Sequence, residues 1–171
     1  MKKVLLLIVL AGVLAVGAIG GRKYFAALQH GKQKAAMGDM RNVGNAWVAF
    51  VTDKFAALDE ATAAKLSNAP VVDFRFTGTQ EAKSGTYRRI PNDILADMLV
   101  PHYIKVLPQQ DGWGNAFEYY VSMDDKTAHL IRSPGRDGNF SGTTYTGGKF
   151  DQSDYDEDIL CANGHMVRYP F

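Results

Sequence analysis

The chain begins with an unbroken apolar run from Val4 to Gly21, preceded by Lys2 and Lys3. As a helix this run is about 27 Å long, close to the hydrocarbon thickness of a bilayer, and it predicts an uncleaved membrane anchor. A cleaved signal peptide is the alternative, because the two lysines form an n-region and Val16-Gly17-Ala18 ends in a small-residue site. Arg22 and Lys23 match the two lysines on the far side, so the charge rule does not by itself set the orientation. The bulk of the chain is placed outside the cytoplasm.

Beyond the run, Phe25, Leu28, Ala36, Met40, Val43, Trp47, Phe50, Val51, Phe55 and Leu58 recur mostly at steps of three and four. This is the stripe of an amphipathic helix. Lys32, Lys34, Asp39, Arg41 and Asp53 occupy the other side. No proline precedes Pro70, so one helix is expected to continue to about Leu66. Gly31, Gly38 and Gly44 weaken it by up to about 1 kcal/mol each relative to alanine, so packing has to hold it.

The pattern then changes. Val71 to Thr77 alternates as a short strand, and residues 78–90 read as an exposed polar loop whose "KSGTYRR" could meet an acidic partner. "IPNDILADMLVP" predicts a short helix opened at Asn92 or Asp93 and stopped by Pro101. Phe117 to Ser122 and Thr127 to Ser133 form a predicted hairpin about "MDDK". A last strand, His165 to Tyr169, follows the turn at Asn163 and Gly164. The expected fold class is therefore α+β: a long N-terminal helix packed on a small C-terminal antiparallel β-sheet. The expected parts are a membrane segment at 1–22, its amphipathic continuation at 23–66 and a globular head at 67–171.

Composition adds limits. A length of 171 residues suits one domain with an extension, and a net charge of +1 offers no general attraction to nucleic acid. One cysteine, Cys161, excludes an internal disulfide. No G-x-S-x-G, H-E-x-x-H or C-x-x-C motif is present, and no enzyme is expected. "GTTYTGGKF" has the wrong glycine spacing for a phosphate loop and carries Phe150 where Ser or Thr is required. Cys161 and His165 have a spacing that metals use, but structural histidines are the preferred reading.

The most unusual feature is acidic. "SPGRDG" at 133–138 turns sharply, and Asp151, Asp154, Asp156, Glu157 and Asp158 follow close together. Calcium takes six to eight oxygens, often two or three carboxylates with backbone carbonyls. Asp137, the later carboxylates and carbonyls near Ser133 and Pro134 could supply them. A solvated acidic loop uses the same residues and no ion.

In order, "KAAMGDMRNVGNAWVAFVTD", "LVPHYIKVLPQQDGWGNAFEYY", "IRSPGRDG" and "DEDILCANGHMVRYP" resemble the pilin superfamily, nearest to the major pseudopilin (G subunit) of type II secretion systems and its type IV pilin-like relatives. The resemblance covers most of residues 33–170, and "DGWGNAFEYY" is its most specific part. It implies a pilin-like fold and a structural calcium ion with Asp137, Asp156 and Asp158 as side-chain ligands and carbonyl help from Pro134 or Ser133. It also implies a structural subunit of a pilus or pseudopilus-like filament. The implied partners are the membrane and copies of itself or other pilin-like subunits. The implied location is the inner membrane, single-pass, with an extracytoplasmic head, or a cell-surface filament. One departure stands out: no glycine precedes the apolar run, and no glutamate lies within it. The alternative is therefore a membrane-anchored extracytoplasmic binding module that does not assemble.

Overall fold

The computed structural model describes residues 2–54, 59–125 and 127–171, with side chains described from Gly21 onward. Helix α1 (Lys2–Lys54) is about 80 Å long at 1.5 Å per residue. From Gln29 it buries one stripe: Gln29, Gln33, Ala36, Met40, Val43, Trp47 and Val51, at the three- and four-residue steps of one helix face. Phe25 and Leu28, expected on that stripe, stay exposed. Phe55 and Leu58 lie outside the described residues. The single helix expected to reach Leu66 is two: α1 ends at Lys54, and α2 (Glu60–Lys65) starts afresh, its N-cap Asp59 accepting a bond from the Thr62 N–H at 2.7 Å.

The rest of the chain builds β1 (Val71–Thr77), β2 (Gly85–Ile90), α3 (Asn92–Leu99), β3 (Glu118–Ser122) and β4 (His129–Ser133). These are followed by β5 (Thr144–Thr146), β6 (Gly148–Phe150), β7 (Ile159–Ala162) and β8 (His165–Pro170). All eight strands join one sheet in the order β5-β1-β2-β3-β4-β7-β8-β6. Its two end strands are neighbours in sequence, separated only by Gly147. β5 runs parallel to β1 while β6 runs parallel to β8. The segment 144–150 thus ties one edge of the sheet to the other and nearly closes it into a barrel.

This overturns the expected fold. The sheet is neither small nor purely antiparallel: it is an eight-stranded, mixed, nearly closed structure with a helix laid on its outside. Residues 85–90, expected in an exposed loop, are β2, paired on both sides with β1 and β3. The basic groups of that stretch are occupied within the fold. Lys83 meets Asp125 at 3.1 Å, Arg89 meets Glu118 at 3.2 Å, and Arg88 donates to the Leu66 carbonyl at 3.1 Å.

Closure creates two apolar interiors. Tyr119, Val121, Ile131, Ile159 and Cys161 face α1 and α3, while Phe74, Tyr87, Tyr120, Leu130, Tyr145, Leu160 and Val167 fill the barrel. Strands β4 and β7 are buried on both faces as a result, so they carry no polar alternation in their sequence.

Helix α1 lies close on the β7–β8 hairpin. Asn163 and Gly164 both have positive φ, 52° and 81°, as a two-residue hairpin turn requires. A Cβ on Gly44 would fall 3.1 Å from the Gly164 Cα and 3.3 Å from the Cys161 Sγ. Trp47, one turn on, stacks on His129 with ring centroids 4.6 Å apart and planes within 8°.

Candidate functional site

Three loops meet beside α1: 111–115, 133–141 and 151–158. The first is organised by Asp111, which is 7% exposed. Its Oδ1 accepts from the backbone N–H groups of Trp113 and Asn115, both at 2.9 Å, so the carboxylate ties its own turn. Its Oδ2 accepts from the Ser133 hydroxyl at 2.7 Å and joins the second loop to the first. Asn115 Nδ2 adds a bond to the Gly135 carbonyl at 2.7 Å.

The first loop also grips the helix. Trp113 Nε1 donates to Gln29 Oε1 at 2.6 Å. Gly112 presses directly on the helix backbone, and a Cβ there would stand 2.3 Å from the Lys32 carbonyl oxygen and 2.7 Å from its Cα. Neither of those atoms can swing away as a side chain could. Gly112→Ala is expected to lower unfolding stability by about 1–3 kcal/mol through overpacking. Urea denaturation would check this, and a midpoint equal to that of the wild type would show that the helix seat is softer than its contacts imply.

The third loop closes the collar. Gln33 Nε2 donates to the Asp154 carbonyl at 3.4 Å, and the Tyr155 ring meets His30 edge-on at 5.5 Å. The Arg136 N–H donates to the Tyr155 carbonyl at 2.7 Å and joins the second loop to the third. Gly135, with φ of 73°, fits because it lacks a side chain: a Cβ would lie 2.7 Å from the Tyr155 oxygen and 2.8 Å from that of Glu157.

The five residues that the resemblance implies as calcium ligands all belong to these loops; most of their bonded side-chain atoms are turned to separate partners, while the buried Asp158 Oδ1 has no hydrogen-bond partner among the described residues. Asp156 receives a two-pronged pair from Arg136, with Nε to Oδ1 at 2.8 Å and Nη2 to Oδ2 at 2.6 Å. Those hydrogen bonds hold its pKa below the usual carboxylate range. Asp137 is exposed, and its Oδ1 accepts from the Asn139 N–H at 3.0 Å within its own turn. Asp158 is fully buried, its Oδ2 accepting from the Ser141 N–H at 3.0 Å, the Ser141 hydroxyl at 2.8 Å and the Tyr145 hydroxyl at 2.7 Å. The Ser133 hydroxyl donates to Asp111, and Pro134 is buried next to it in the chain.

Among the described residues, no three His, Cys, Asp or Glu side chains are grouped to hold a metal ion. With Asp156 paired to Arg136 and Asp137 turned to the Asn139 N–H, the three carboxylates do not converge as the calcium set that the resemblance implies. Glu157 is likewise paired, with Arg168.

Behind Asp158 the barrel holds a buried ionic network. Arg132 donates through Nε to Glu118 Oε2 at 2.7 Å, and through Nη1 to the Tyr145 hydroxyl at 3.1 Å and the Gly142 carbonyl at 2.9 Å. Its Nη2 reaches the Tyr120 hydroxyl at 3.1 Å. The guanidinium lies over Phe140, 3.8 Å from the ring centroid. Burial, then the bond to Glu118, pushes the Tyr120 phenol up to about 12, and burial, then Asp158, raises that of Tyr145. Both hydroxyls therefore stay protonated and serve as donors. Cys161 is fully buried, and burial pushes its thiol up to about 12, which leaves it unreactive as a nucleophile near neutral pH.

Sequence reasoning missed Asp111, Arg132, Arg136, Gln29 and Gln33. The last two had a usable signal, since both fall on the helix stripe at its own spacing. Asp111 had one as well, because an aspartate before Gly-x-Gly commonly accepts bonds from the turn that follows it. No protein-family model, no curated protein and no solved structure matches the chain.

Proposed function

We propose that the protein is a structural subunit of a pilus or type II secretion pseudopilus-like filament, in which α1 supplies the contacts between subunits. The observation that carries this reading is how unevenly α1 is used. The head grips it from Gln29 onward. Just before that grip, Tyr24, Phe25 and Leu28 are 74%, 52% and 47% exposed. Neighbouring exposed aromatic and aliphatic groups on one helix are what an assembly surface offers. Among the described residues no helix is long and apolar enough to cross a membrane. The side chains of residues 4–20, on which the expected anchor depends, lie outside the described residues.

A cysteine cross-linking experiment on the full chain in membranes tests the proposal. L28C and F25C are expected to give a ladder of dimers and higher species with a short bis-maleimide. V106C, on the head and 73% exposed in the parent residue, is expected to give much less. Native Cys161 is buried and contributes no background. Monomer alone at all three positions would defeat the filament reading. The lack of a glutamate within the apolar run would then favour the second reading, a membrane-anchored module that works singly, because the run has no carboxylate with which to neutralise a neighbour's charge.

A further inference from the structure

We propose that the Arg136 guanidinium is the resident cation of the loop pair 134–138 and 155–158, doing there what a divalent ion would otherwise do. Space is the first constraint. Calcium stands 2.3–2.6 Å from each of its oxygens, so two loops bridged by the ion stay apart by its coordination sphere. Here the two backbones touch: Arg136 N–H bonds the Tyr155 carbonyl at 2.7 Å, and Gly135 leaves no room for even a methyl group against the carbonyls of Tyr155 and Glu157.

Charge is the second. Arg136 engages both oxygens of Asp156 and packs its guanidinium 5.5 Å from the centre of the Tyr155 ring. One of the three implied ligands, Asp156, therefore already holds a guanidinium through two bonds, its side chain 49% exposed and that of Arg136 40%, and a divalent ion at that carboxylate would have to displace this charge against repulsion. The planar fork of arginine suits this role because it meets a carboxylate with two parallel bonds. A lysine would supply the charge without the fork.

Pairing of the two loops is independent of assembly, and its test leaves the filament reading untouched. Thermal unfolding of the full chain is followed in EDTA and in millimolar calcium chloride, for wild type, R136A, R136E, D156R and the swap R136E/D156R. Wild type is expected to melt at the same temperature in both solutions. R136A is expected to melt a few degrees lower and to lose hydrogen-exchange protection at residues 134–138 and 155–158. The swap is expected to be more stable than R136E. A wild-type melting temperature several degrees higher in calcium would overturn the proposal, as would an R136A variant with unchanged melting and protection. A swap no better than R136E would overturn it too, because the pairing itself would then carry nothing.

Discussion

Arg132→Met is expected to lower unfolding stability by about 3–5 kcal/mol, the usual cost of removing one partner from a buried ion pair. The guanidinium sits inside the barrel with 8% of its side chain exposed, and its partner Glu118 has 13%. Without it, the partners of Glu118 among the described residues are Arg89, at 3.2 Å on its other oxygen and 42% exposed, and the Tyr120 hydroxyl, at 2.7 Å. The Gly142 carbonyl, bonded to Arg132 at 2.9 Å, loses that donor. Methionine fills much of the volume, so the loss reports the charge more than a cavity.

A double-mutant cycle separates the pair from its setting. R132M/E118Q removes both charges and is expected to recover a substantial part of the loss, because the larger cost lies in leaving one buried charge alone. Lys83–Asp125 offers a comparison at the surface, with side chains 70% and 33% exposed, where K83M is expected to change stability by less than about 1 kcal/mol. Urea titration of these variants measures all of this. An R132M midpoint as close to wild type as that of K83M would mean that the barrel interior admits enough water to solvate Glu118, and the buried network would lose its claim to hold the closed sheet.

Arg132 also shows how much of this molecule was legible beforehand. The long helix was, because apolar groups at three- and four-residue steps fall on one side of the chain only when it is helical. The β3–β4 and β8 strands were, because turn residues bracket them. Closure was not. It depends on 144–150, a segment with three-residue strands on either side of Gly147, too short for any alternation to show. β7 was hidden for the opposite reason, since "ILCA" is buried on both faces and lies against a run of acids that draws the eye as a loop.

The candidate site divides in the same way. The resemblance implied that the turn at 133–138 meets the acids at 156–158, and the two loops do touch. What the carboxylates bind is set by which cation reaches them in three dimensions. Asp156 meets Arg136 and Glu157 meets Arg168, while Asp158 turns inward, where its Oδ2 takes the Ser141 N–H and two hydroxyl donors and its Oδ1 has no partner among the described residues. No spacing rule separates a carboxylate that waits for an ion from one that already has an arginine.

Stability is expected to fall as the pH is lowered from 7 to 5, and His129 is the residue expected to drive it. Its side chain is 1% exposed, stacked on Trp47 where α1 seats on β4. Neither ring nitrogen finds a hydrogen-bond partner of normal geometry among the described residues, and the same holds for Trp47 Nε1. Burial lowers the imidazole pKa from 6.5 to about 4, and the nearby Thr127 backbone offsets this only in part. Between those two values the unfolded chain binds a proton that the folded chain refuses, so stability rises with pH across the window. The full difference is about 3 kcal/mol, and about 2 kcal/mol of it has been lost by pH 5, above the range where most carboxylates titrate. H129F keeps a flat ring against Trp47 and removes the titration. Urea unfolding at pH 7 and pH 5 should therefore show a steep loss in wild type and a shallow one in H129F, whatever the offset between the two proteins at pH 7. Equal losses would place the acid sensitivity elsewhere and leave the Trp47–His129 stack as packing alone. Unequal losses would make that stack the point at which acid loosens the head from its helix, since Trp47 is the largest side chain that α1 buries there.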